Sequence, residues 1–132
     1  MNKLITDKSG ELLAQVITVQ HCSNGVNFHT DPSREVQVAS MLHSKAHNIK
    51  NHKHNVTKRE IYLTSEVLVI NRGIIRCFIY DNNLALVDTV DLSGGQILIL
   101  YAGGHGFEVL EDTEMIEVKQ GPYMNNQDKT HF

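Results

Sequence analysis

The second half of the chain is punctuated too regularly for helices. From about residue 60, short runs rich in Val, Ile and Leu alternate with clusters of turn-forming residues. EVLVI (66–70) is parted from IIRCFIY (74–80) by Asn71-Arg72-Gly73, and Asp81-Asn82-Asn83 parts the latter from LALVDTV (84–90). Ser93-Gly94-Gly95 precedes QILIL (96–100), and Ala102-Gly103-Gly104 follows it. FEVL (107–110) and EMIEVK (114–119) flank the acidic turn Glu111-Asp112-Thr113. β-branched runs of about 4–8 residues with turn signals roughly every 8–12 predict an all-β sandwich or small barrel. Asn71-Arg72-Gly73 reads as a short hairpin connection.

The first half is plainer. LLAQVITV (12–19) predicts a strand after the turn Lys8-Ser9-Gly10. Over 31–43, Asp31-Pro32 could open a helix. Yet Val36, Val38, Ser40 and Leu42 alternate with Gln37, Ala39, Met41 and His43, which predicts a strand with one polar face. At 132 residues the expectation is one domain over 1–132, with an N-terminal strand region (1–30) and a C-terminal tail (121–132).

Charge bounds the function classes. Twelve Lys and Arg against fifteen Asp and Glu give a net charge of −3, not the basic excess of a duplex binder. The two halves differ, with basic residues concentrated at Lys45, Lys50, Lys53, Lys58 and Arg59, and acidic ones at Glu108, Glu111, Asp112, Glu114 and Glu117. Cys22 and Cys77 form no CxxC pair, which argues against a disulfide scaffold or thiolate zinc site and for a reducing compartment. No signal peptide and no apolar run near the ~20 residues of a membrane span is read, so the expectation is a cytoplasmic protein without membrane or nucleic-acid partners.

Eight histidines are many for this length. His52-Lys53-His54 is the sharpest local feature, because residues i and i+2 of a strand project to one face. Two imidazoles there could furnish half of a metal site, or a general base with its orienting partner. His105 lies between glycines in Gly103-Gly104-His105-Gly106, which leaves its ring unobstructed. Arg34 and Gln37, on the predicted strand, would face a cavity and orient a ligand, and Arg59 is a candidate anion clamp. Lys119 and Tyr123 are candidates for proton transfer at the end of the last strand.

The order HxH at 52–54, Glu66, six residues, Gly73, then Gly95 and Gly103-Gly104-His105 resembles the two motifs of the cupin superfamily. Tyr101 stands where the second motif has proline, and His105 stands one position early. Eleven residues separate His54 from Glu66 and five separate it from Glu60, so the acidic position is open between the two. The resemblance implies a single-domain cupin β-barrel (a double-stranded β-helix, or jelly roll). It implies a divalent metal, Zn, Fe, Ni or Mn, on His52, His54, His105 and Glu66. The strings GGHGFEVLE (103–111) and EVKQGPY (117–123) are similar to small bacterial cupins that accompany genes for nucleotide sugars and surface polysaccharides. That likeness implies a homodimeric isomerase or epimerase acting on a small sugar-derived ligand. The alternatives are a metal-independent ketoisomerase or epimerase using histidine as acid and base, a non-catalytic ligand-binding cupin, and an Fe-dependent dioxygenase.

Overall fold

The computed structural model describes residues 2–132 and is all-β, with no α-helix among the described residues. Ten strands form: β1 (Asn2–Thr6), β2 (Leu12–Thr18), β3 (Gly25–Phe28), β4 (Ala39–Leu42) and β5 (Glu66–Arg72). Then come β6 (Ile74–Tyr80), β7 (Leu86–Ser93), β8 (Gln96–Leu100), β9 (Gly104–Val109) and β10 (Glu114–Lys119). They make three antiparallel sheets, β1-β2-β8-β5-β10, β7-β6-β9 and the pair β3-β4. None of the three closes on itself as a barrel.

The two larger sheets pack face to face over one apolar core. Ala14, Leu68, Ile70, Leu98 and Leu100 from the five-stranded sheet meet Ile75, Cys77, Ile79, Val90 and Leu92 from the three-stranded one. β6 and β7 form a hairpin whose turn is organised by Asp81, whose carboxylate accepts the N–H groups of Asn83 and Ala85. This is the Asp-Asn-Asn break expected between the two runs.

The hairpin expected at Asn71-Arg72-Gly73 is not formed, because β5 and β6 lie in different sheets. β5 is apolar on both faces: Leu68 and Ile70 point into the main core, while Val67 and Val69 join a second cluster with Ile17, Ile99, Val36 and Val38. Such a strand belongs inside a sheet with both faces covered, and it lies between β8 and β10. Gly73 is the corner between sheets. Its φ is +87°, and a Cβ there would strike the backbone of Asp112 and Thr113.

The strand expected over 31–43 shrinks to β4 (Ala39–Leu42). Asp31 instead closes a turn, accepting the Ser33 N–H at 2.8 Å on its carboxylate and the Arg34 N–H at 3.0 Å on its carbonyl. The strand expected around His52-Lys53-His54 is also absent, for no strand lies between β4 and β5. Residues 44–64 are exposed throughout and form an arm whose hydrogen bonds are local. They run from His47 N–H to Ser44 O, between His52 Nδ1 and Lys50 O, and from Arg59 to Thr57 O. Among the described residues no helix is long and apolar enough to cross a membrane.

Candidate functional site

Strand register explains how residues 39 positions apart meet. Glu66 pairs with Lys119 and Leu100 across the five-stranded sheet, so all three share its inner face. His105 pairs with Ile79, which is fully buried, so His105 shares the inner face of the opposite sheet. The two inner faces bring His105 Nε2 to 3.2 Å from Glu66 Oε2. Lys119 Nζ lies 3.8 Å from the other Glu66 oxygen, 3.4 Å from Glu117 and 3.1 Å from Asp128.

The hydrogen bond from His105 holds the Glu66 carboxyl below the ordinary carboxylate range against the opposing effect of burial, with the Lys119 charge adding to it. Lys119 is in turn raised above the ordinary lysine range, first by its bond to Asp128 and further by Glu117. At neutral pH the cluster is therefore an ionised carboxylate against the His105 ring, backed by an ammonium group.

Glu66 and His105 open onto a cavity of about 670 Å³ whose walls include Tyr62, Tyr80, Tyr101, Asn82 and Asp128. That is the size of a pocket for a small organic ligand. Gly103 and Gly104 form part of the wall. Gly103 has φ +73°, and a side chain there would run into the Tyr80 carbonyl oxygen. The tail forms another part of the wall, with the Phe132 ring edge-on to Tyr80 at 5.1 Å and next to Gly104.

Of the residues singled out in the sequence, the structure gathers three, Glu66, His105 and Lys119. His52 and His54 face each other edge to face at 5.5 Å on the exposed arm, and neither lines the cavity. Glu60, on the same arm, pairs with Lys58. Among the described residues no three His, Cys, Asp or Glu side chains converge as a metal site would require. His52 and His54 thus lie apart from Glu66 and His105, so the four residues of the expected metal site are not gathered among the described residues.

Arg34 and Gln37 lie on the turn after Asp31 rather than on a strand facing the cavity. The Arg34 guanidinium sits 5.1 Å from the centre of the Tyr101 ring, and the Gln37 amide donates to the carbonyls of Asp31 and Arg34. Arg59 and Tyr123 are exposed and outside the cavity wall. Lys119 acts through Glu66 and is not part of that wall.

Sequence reasoning missed Tyr80, Glu117, Asp128 and Phe132. Glu117 could have been found, since it lies two residues from Lys119 on one strand and so shares its face. No local pattern marks Asp128 or Phe132, because the tail joins the site only through its tertiary contacts with Lys119 and Tyr80. Comparison of the chain with models of protein families, with curated proteins and with solved structures gives no match.

Proposed function

We infer that the chain is a metal-independent isomerase or epimerase of a small, sugar-derived carbonyl compound, built on a cupin-like double-stranded β-helix. The observation that carries this reading is the Glu66–His105 pair at 3.2 Å on the wall of a ligand-sized cavity. A carboxylate that accepts the Nε2 proton selects the tautomer with a basic Nδ1. Such a base can take a proton from a hydroxyl-bearing carbon beside a carbonyl, leaving an enediolate. Its return to the former carbonyl carbon, with the hydroxyl proton passing to the former carbonyl oxygen, gives the isomer. Its return to the first carbon on the other face gives the epimer, and neither involves net redox change. Glu66 stabilises the imidazolium formed in between, and the bond from His105, with a smaller contribution from Lys119, keeps Glu66 ionised.

The walls support a carbohydrate-like ligand, since Tyr62 and Tyr80 offer flat apolar surfaces and Asn82 and Asp81 offer hydrogen-bonding groups. The cupin reading draws support from the order of Glu66, Gly73, Gly95 and His105 and from two antiparallel sheets facing each other over one core. The test is solvent deuterium incorporation into nucleotide-linked keto sugars, followed by proton NMR with metal-free protein. Exchange at the carbon beside the carbonyl is expected, reduced by about 10²–10⁴-fold in His105→Asn, the range a positioned general base contributes. Absence of exchange with every candidate keto sugar, or undiminished exchange in His105→Asn, would overturn the reading.

A further inference from the structure

The core is left open along one side. β9 and β10 are edge strands of the two facing sheets, and both span the side between the Glu66 end and the Gly73 corner. Register puts Val109 and Phe107 beside buried Ile75 and Cys77, and Met115 beside buried Ile70, all on inner faces. Yet Val109 is 62% exposed, Met115 41% and Phe107 36%. Inward-facing apolar side chains at a free strand edge are what an added strand would cover.

The arm between β4 and β5 is the converse. It exposes Ile49, Val56 and Leu63, has no backbone ladder of its own and contains no proline to block strand pairing. Its charges complement the open side. The arm carries Lys45, Lys50, Lys53, Lys58 and Arg59 against Glu60, whereas 104–119 carries Glu108, Glu111, Asp112, Glu114 and Glu117 against Lys119. Glu114 pairs with Arg72 and Glu117 with Lys119, while Glu111 and Asp112 form no ion pair among the described residues.

We propose that the open side between β9 and β10 is the docking surface for the arm of a second copy of this chain, which adds as a strand along the free edge of β9. Exchange is reciprocal, so two arms and two edges make a closed dimer. The partner's arm covers Phe107 and Val109, and its two histidines come to lie on the sheet that carries His105. The end of the arm, Tyr62 and Leu63, lines the candidate cavity, but association and deuterium exchange are read separately, so either proposal can fail without the other.

The experiment is light scattering of the full chain at low and high salt, with carbodiimide crosslinking of a mixture of ¹⁴N- and ¹⁵N-labelled copies. A mass of twice 14.9 kDa is expected, falling toward the monomer with salt, with mixed-isotope crosslinks joining 45–60 to 108–117. Reversing Lys50, Lys53 and Lys58 to Glu, all exposed and away from the core, weakens association about tenfold or more. Adding Glu108→Lys and Glu111→Lys restores it. A monomer, a dimer indifferent to the reversal, or crosslinks confined to one isotope would overturn the proposal.

Discussion

Glu66 and His105 lie on different sheets, yet their side chains meet at 3.2 Å where the inner faces of β5 and β9 come together. The contact links two strands with no common backbone hydrogen bond. It also sets the charge of the site, because the bond from His105 is the largest influence keeping Glu66 ionised.

Acid should weaken the fold partly through this pair. The folded pKa of Glu66 is depressed, so its contribution is complete above the ordinary carboxylate range and is lost as pH falls through the lower, folded value. Glu66→Gln is expected to lower the urea midpoint at neutral pH, and the gap to the parent should close as pH falls below the carboxylate range. A gap that stays constant with pH would show that the carboxylate charge is not what matters.

Lys119 gives the opposite edge of the window. Its folded pKa is raised, so its contribution is complete below the ordinary lysine range and is lost only as pH rises through the higher folded value. Lys119→Met should erase that alkaline loss in a thermal melting series. It should also bring the Glu66 titration, followed by carboxyl NMR, back toward the ordinary range.

Chelation separates the acid–base reading from its metal-dependent rival. The proposed proton transfer uses Glu66 and His105 alone, so exhaustive dialysis against a strong chelator should leave deuterium exchange within about twofold of the untreated protein. Exchange that vanishes and returns with one added divalent cation would replace this reading with the metal-dependent one.

Gly103→Ala is expected to cost about 2–4 kcal/mol in equilibrium unfolding. The position combines φ +73° with a Cβ that would meet the Tyr80 carbonyl, and backbone cannot swing aside as a side chain tip can. Gly104→Ala differs, because its Cβ would lie 2.7 Å from the end of the Phe132 ring. That ring can move, so displacement of the tail with a cost of about 1 kcal/mol or less is expected.

The two thiols should react in separate steps. Burial pushes the Cys77 thiol up to about 12, and its side chain is sealed in the core, whereas Cys22 is partly exposed. A thiol reagent at neutral pH should label one cysteine in the native protein and the second only on unfolding. Rapid native labelling of Cys77 would show that the core opens.

The strand content of 66–119 was legible because period-2 alternation and Gly, Asn and Asp clusters act over a few residues, as in β6 and its Asp81 turn. The Asn71-Arg72-Gly73 connection was misread for the same reason. A tight turn between two β-branched runs looks alike whether the strands pair edge to edge or cross between sheets. Around Asp31 the apolar alternation of Val36 and Val38 was real, but it serves docking on the outer sheet face, and side-chain bonds from Asp31 and Gln37 hold the turn.

The sequence by itself determined that the chain is β-rich and where most of its turns fall, since these follow from propensity and spacing along the chain. His52, His54, His105 and an acidic partner, Glu66 or Glu60, stood out only through an order that resembles the cupin motifs. Only the tertiary structure decided that Glu66 and His105 touch while His52 and His54 stand on an exposed arm. It also decided that Lys119 and Asp128 brace the site and that one side of the core is open. Those outcomes depend on which strands become neighbours and which faces oppose each other. Long-range burial of apolar surface selects them, and no local pattern encodes it.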